Sequence, residues 1–267
     1  MNVGIAGLGS IGTVVAHKIA RGDVNGLDLT AITTRTQETA LARIEKFSHS
    51  VPLVTAQELP KLVDIVVECA PKSAFKEIAV PALEAGCTLI TVSGGALLAY
   101  PELVELAKLS GGRIILATGA LLGLDAIRAA AEGHIESVKM VTSKPPTSLA
   151  GAPYLDIHGI DIHNLKNPLK VFEGSASEGA IGFPAHVNVA AAVGLAGIGA
   201  DNTQLEIWAD PHLERNTHFI EVEADSARFE MKIENIPSED NPGTGRITAL
   251  SVISTLRGLL EPIRIGS

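Results

Sequence analysis

Between a short apolar run and an amphipathic one, the chain carries Gly7-Leu8-Gly9-Ser10-Ile11-Gly12, a G-x-G-x-x-G spacing that can cradle a pyrophosphate. Gly7 permits a tight turn, Gly9 lets backbone approach the anion, and Gly12 lets a helix pack close to a strand. The helix that follows offers unpaired N–H groups and the positive end of its dipole. A strand before and a helix after turn a common glycine pattern into a dinucleotide site. Ser10 and Ile11 at the helix start, and Ala70 after the run 63–68, are further expected contacts. Where the second strand ends, an acid ordinarily accepts from the ribose 2′-hydroxyl of NAD, yet the chain reads Thr33-Thr34-Arg35-Thr36. An arginine flanked by hydroxyls suits a 2′-phosphate. Use of both NAD and NADP is therefore expected, with Arg35 and Thr34 favouring NADP; a solvated loop arginine is the alternative.

The elements that must position this loop are legible as alternation. β-branched apolar runs near 2–6, 28–33, 51–54, 63–68, 87–92 and 112–116 predict strands buried on both faces. Helical periodicity over Ser10 to Ala20, Gln37 to Lys46, Ala74 to Ala85 and Pro101 to Leu109 lies between them. The fold class is therefore α/β: an N-terminal doubly wound Rossmann domain over 1–118. After Gly119 the pattern changes. A helical run over Leu124 to Glu132 leads to a strand at Ser137 to Thr142, and alternating runs at Gln204 to Ala209, Thr217 to Glu223 and Arg228 to Glu234 predict antiparallel strands with one solvated face. That describes a smaller α+β substrate and oligomerisation domain over 119–245. The amphipathic stretch Thr248 to Leu260, within 246–267, is expected to pack back on the first domain.

Composition narrows the function classes. A formal charge of −9 and an aromatic share of 3% supply neither the basic stripe nor the stacking surface of a nucleic-acid binder. Cys69 and Cys87 sit in apolar runs and read as buried thiols of a reducing compartment. No C-x-x-C or H-E-x-x-H spacing supports a metal, so none is expected. The first residues read as a strand without a basic leader, and no apolar run approaches bilayer-spanning length. A cytoplasmic protein without membrane partners is expected.

Further motifs are more specific: Gly119-Ala120-Leu121-Leu122-Gly123-Leu124-Asp125-Ala126, Thr142-Ser143-Lys144-Pro145-Pro146, and Phe183-Pro184-Ala185-His186-Val187-Asn188-Val189-Ala190-Ala191-Ala192. With Ala209-Asp210-Pro211, His218 and Asn235-x-Pro237-Ser238-x-x-Asn241-Pro242, they resemble the L-aspartate dehydrogenase family over nearly the whole chain. The resemblance implies reversible oxidative deamination of L-aspartate, through an imine, to oxaloacetate and ammonia. Such chemistry needs a proton shuttle and donors for two carboxylates.

His218 matches the family's catalytic histidine, and an imidazole whose unperturbed pKa lies near neutrality suits a shuttle; on position alone it reads as structural. Asn188 carries over as a nicotinamide or ribose contact, with a helix-terminal role as the alternative. Gly119, Ala120 and Leu122 are implied to line the nicotinamide pocket, Leu122 through its backbone. His186 stands where the family has Asn, as a substrate contact or a second proton-active group. Lys144, with Thr142 and Ser143, leaves a strand where a cleft would open and is the candidate for a substrate carboxylate; an exposed loop lysine is the alternative. Asp125 and Asp210 read as turn or capping residues. A homodimer or tetramer is expected. The rival readings are an imine or semialdehyde reductase of the dihydrodipicolinate reductase or homoserine dehydrogenase kind, and a non-catalytic NAD(P) sensor.

Overall fold

The computed structural model describes residues 1–45, 47, 49–241, 243–263 and 265–266. The chain divides into two compact units: Met1–Gly119 with Thr248–Arg264, and Ala120–Ile247 with Ile265–Ser267.

The first unit runs β1 (Asn2–Ala6), α1 (Ser10–Ala20), β2 (Asp28–Thr33), α2 (Gln37–Ile44), β3 (Ile65–Glu68), α3 (Phe75–Glu84), β4 (Thr88–Thr91), α4 (Gly94–Ala99), α5 (Glu102–Ser110) and β5 (Arg113–Leu116). Its sheet is parallel throughout in the order β2-β1-β3-β4-β5. The order reverses between β1 and β3, the switch point at which open α/β sheets leave a crevice beyond their carboxyl ends. Strands buried on both faces explain the apolar runs: every residue of β3 is buried, and one core holds Val3, Ile5 and Val67 while the other holds Val66, Phe75 and Leu89. Among the late elements, the helix Arg246–Gly258 places Val252, Ile253 and Leu256 in the first of these cores.

Two details differ from the sequence reading. Residues 51–54 form no strand; a single bridge, Ile32 to Leu53, ties them to β2, and Pro52 has no N–H to extend the ladder. The helix α4, which begins at Gly94-Gly95, is not among the predicted helices, two adjacent glycines being poor helix formers. Lys46, the predicted end of α2, lies outside the described residues, as does Pro242 of the last motif.

The second unit contains α6 (Leu124–Ala131), β6 (Ile135–Lys144), α7 (Pro153–His158), β7 (Leu169–Ser175), α8 (Ala176–Gly182), α9 (Asn188–Ala196), β8 (Thr203–Ala209), β9 (Thr217–Ala224) and β10 (Arg228–Glu234), and its sheet order is β10-β9-β6-β8-β7. The run at 204–209 was expected among antiparallel strands, but β8 lies parallel to β6 and antiparallel only to β7. Alternation reports which face is buried and not which way a strand runs; here α8 and α9 intervene between β7 and β8. The strand β7 escaped notice because it is an edge strand with only Val171 and Phe172 buried. A capping box, with Ser175 and Glu178 exchanging hydrogen bonds, then starts α8.

Candidate active site

The central strand of the second unit sets the site. Over its ten residues β6 alternates so that Val138, Met140, Thr142 and Lys144 face inward. Packing of α6 and α9 covers the Val138 end: a side chain at Gly197 would meet Ile127 and Val138. At the other end polar groups replace the apolar ones. Antiparallel register places His218 of β9 directly opposite Thr142. The two side chains meet, with Thr142 Oγ1 and His218 Nδ1 3.1 Å apart and both residues buried. That contact occupies Nδ1 and leaves Nε2 as the ring nitrogen open to chemistry.

Lys144 is only 5% exposed, and among the described residues no carboxylate or hydrogen-bond partner compensates its ammonium. Burial pulls its pKa down to about 8. Burial first, and the Lys144 charge second, lower His218 to about 3 and His186 to about 4. The near-neutral imidazole expected from residue type alone is thus corrected: both rings are uncharged at neutral pH. Two buried groups able to carry positive charge, Lys144 and His218, with the half-buried His186 coupled to the lysine and no acid paired with them among the described residues, make a cluster whose chemistry fits an anion.

In the first unit, the glycine loop follows β1 at the switch point. The N–H of Gly7 donates to the Thr33 carbonyl at 2.8 Å, and its φ of +96° is open to glycine at little cost. A Cβ on Gly7 would lie 2.8 Å from the Cys69 carbonyl oxygen, and one on Gly12 would collide with the Gly7 carbonyl. Both glycines are therefore required by the fold itself. Gly9 is different: a Cβ there would meet nothing within 4 Å. It precedes α1 as an N-cap with no side-chain hydrogen bond, and no acid occupies the first turn. The open space and the uncapped N–H groups fit a pyrophosphate.

The comparisons agree with both regions. The family described as aspartate dehydrogenase, C-terminal, matches residues 125–259, and the homoserine dehydrogenase NAD-binding domain family matches 7–117. L-aspartate dehydrogenase 3 of Bordetella bronchiseptica is 52% identical over 267 residues, covering 100% of this chain and 98% of that one. L-aspartate dehydrogenase of Bradyrhizobium diazoefficiens is 51% identical, covering 100% and 94%. The crystal structure of aspartate dehydrogenase from Thermotoga maritima superposes with a TM-score of 0.77 at 29% identity, covering 100% and 99%. The chain belongs to the aspartate dehydrogenase family. The first unit is accordingly a pyridine-nucleotide-binding Rossmann unit and the chain an NAD(P)-dependent oxidoreductase.

For a member of this family, the remaining predicted residues distribute unevenly. Thr142, Lys144, His218 and, through its electrostatic coupling to Lys144, His186 come together. Ser143 does not: it pairs in register with Thr217 and, by alternation, faces the other side of the sheet. Asn188 is the exposed first residue of α9. Gly119 is buried and Leu122 is 47% exposed, while the Ala120 carbonyl accepts from Asn235 Nδ2 at 3.1 Å. Arg35 is exposed just beyond β2, with Thr34 half-buried beside it. Ser10 and Ile11 open α1, and Ala70 abuts the space a Gly7 side chain would fill. Asp210 makes a turn, accepting from His212 N–H at 2.9 Å, and Asp125 lies in the first turn of α6. Cys87 is buried and Cys69 partly so, both as free thiols.

Three buried polar residues were missed. Glu68 ends β3 and accepts from Ala70 N–H at 2.8 Å and Thr91 Oγ1 at 2.6 Å; burial raises its carboxyl pKa. Its network ties the exits of β3 and β4 together beside the glycine loop. Asn216 and Asn235 flank β9 and β10, and both are buried. A buried run such as Ile-Val-Val-Glu holds a signal for the first; for the asparagines only the motif containing Asn235 offered one.

Proposed function

We infer that the chain is an L-aspartate dehydrogenase, catalysing the reversible NAD(P)-dependent oxidative deamination of L-aspartate to iminosuccinate, which water converts to oxaloacetate and ammonia. The observation that carries the site assignment is the buried, uncompensated Lys144 beside His218 and Thr142. A dicarboxylate supplies the charge this cluster lacks.

Bound nicotinamide supplies the acceptor for the hydride that leaves the α-carbon. Lys144 pairs with a substrate carboxylate. That pairing offsets the lysine charge, the second cause of the depressed His218 pKa after burial, and so raises the basicity of its ring, while Thr142 holds Nδ1 and fixes the ring's direction. Nε2 takes a proton from the substrate nitrogen, or from the water that attacks the imine, and returns it in the opposite direction. His186 is a second group coupled to the same lysine. Gly7, Gly9 and Gly12 with the first turn of α1 hold the pyrophosphate. Arg35 and Thr34 accommodate a 2′-phosphate, so both cofactors are used with NADP favoured. Gly119, Ala120, Leu122 and Asn188 serve the nicotinamide half.

The outer face of the second sheet carries half-buried Val141, Phe219 and Trp208, a surface suited to a homo-oligomer contact. Among the described residues no helix is long and apolar enough to cross a membrane, and the free thiols suit a cytoplasmic protein.

The test mixes protein with oxaloacetate, ammonium and either NADH or NADPH, and follows loss of reduced nicotinamide absorbance, with ammonium omitted as control. Ammonium-dependent oxidation specific to oxaloacetate, and reduction of either cofactor by L-aspartate, are expected. Demonstrated cofactor binding without turnover in either direction overturns the reading.

A further inference from the structure

One row beyond Thr142 and His218, the sheet ends in three more buried polar residues. Ser143 pairs with Thr217, and Thr217 with Glu234. Carried one residue further, the register lines up Lys144, Asn216 and Asn235 across β6, β9 and β10, on the face that holds His218. The Asn235 N–H donates to the Asn216 carbonyl at 2.9 Å, which fixes the second step of the row. The three side chains are 5%, 9% and 4% exposed.

The amide groups of this row have a defined orientation. Asn216 Nδ2 donates to the Gly243 carbonyl at 3.4 Å, and Asn235 Nδ2 to the Ala120 carbonyl at 3.1 Å. Turning either amide over would set oxygen against carbonyl oxygen, so Oδ1 is the free end in both. Each Oδ1 is sealed from solvent and has no donor among the described residues. Two acceptors shielded from water, in line with an ammonium that also has no partner among the described residues, call for a ligand that brings both acceptors and donors. The carboxylates of the proposed substrate answer Lys144. Only its nitrogen can answer the amides.

We propose that Asn216 and Asn235 recognise the nitrogen of the substrate, their side-chain oxygens accepting N–H hydrogen bonds from the amino or iminium group. The assignment rests on the proposed dehydrogenase function and names its specificity device. A hydroxyl at the same carbon has one hydrogen and satisfies one oxygen; an amino or iminium nitrogen satisfies both. The pair therefore selects amino over hydroxy dicarboxylates, and a site built for hydrogen bonds rejects a ligand that leaves them unmade.

The test compares L-aspartate with succinate, which keeps two carboxylates and has no nitrogen. Calorimetric Kd values for both ligands, with the KM for ammonium at saturating oxaloacetate and NADPH, are measured for wild type, Asn216→Ala and Asn235→Ala. Each variant is expected to weaken aspartate and ammonium roughly tenfold, the loss of one hydrogen bond to a charged group, and to leave succinate within about twofold. Parallel weakening of aspartate and succinate, or no weakening of either, overturns the proposal. Should the alanine variants fail to fold, wild type carries the test: L-aspartate is expected to bind at least about tenfold more tightly than L-malate, whose hydroxyl brings a single hydrogen, and equal Kd values overturn the proposal equally. Absence of ammonium-dependent turnover in the wild type removes the dehydrogenase reading itself, whereas turnover with parallel losses in the variants removes this inference alone.

Discussion

The glycine loop of the first unit and the polar row of the second are built on opposite plans. The loop is a run of consecutive residues whose proposed working groups are backbone N–H groups, and its side chains matter chiefly by being absent. The row gathers side chains from β6, β9 and the strand exits, residues separated by as many as 76 positions for Thr142 and His218 alone. A backbone site is written contiguously and is recognisable from spacing. A side-chain site is assembled by register, and its electrostatics come from burial that no local pattern states.

The contrast can be broken most sharply at His218. Replacement by Ala is expected to lower kcat roughly 100- to 10,000-fold, the span of a lost general acid–base, while the cofactor Kd, measured by fluorescence titration, stays at its wild-type value. A kcat within a few-fold of wild type would remove the ring from proton transfer.

Next in size is Lys144→Met. The KM for aspartate is expected to rise about 100-fold, on the scale of a lost charge-assisted contact. Thermal stability should move the other way, because an unpaired buried ammonium is exchanged for an apolar chain of similar length. The sign of the pH effect follows. Folding depresses the Lys144 pKa to about 8 from 10.5, so its cost to the fold is fully present below pH 8 and vanishes as pH rises past the ordinary lysine value. The Tm advantage of the variant should therefore shrink between pH 7 and pH 10.5. In wild type, affinity for succinate should fall as pH rises through the lysine's titration. Equal succinate affinity at pH 7 and pH 10 would argue that Lys144 does not hold the carboxylate.

Gly9→Ala sharpens the other side of the comparison. Its Cβ enters open space, so Tm should stay within about a degree of wild type, yet cofactor affinity should drop roughly tenfold because the new methyl occupies the pyrophosphate's approach. Gly12→Ala, whose Cβ collides with Gly7, should lose Tm and affinity together. If Gly9→Ala binds NADPH normally, the open space is not the phosphate site. The smallest expected effect is at Arg35→Ala: a several-fold fall in the NADPH to NADH preference, since an exposed charge contact is screened by water.

Much of this was legible before any coordinates. The helix Ser10–Ala20 and the strand Arg228–Glu234 have the bounds their periodicity predicts, because a 3.6-residue or two-residue repeat needs only one buried face to write it. The segment 51–54 was misread since a short apolar run looks alike whether it joins a ladder or lies beside one. The direction of β8 was misread because alternation carries no arrow. At the site, Lys144 and His218 could be named individually, but Ser143 could not be separated from its neighbours until strand alternation turned it away.

What the sequence determined by itself was the pattern of faces and the contiguous loop: which residues must be buried, where glycine is obligatory, and that a glycine-rich turn opens α1. These follow from local sterics and periodicity, which act over a few residues. Tertiary structure alone decided that Lys144 is sealed with no acid paired to it among the described residues, that burial leaves His218 uncharged at neutral pH, and that, among the described residues, two asparagine oxygens in the same row have no donor. Charge states and unmet hydrogen bonds depend on everything within a few ångströms, and only the folded register determines what those neighbours are.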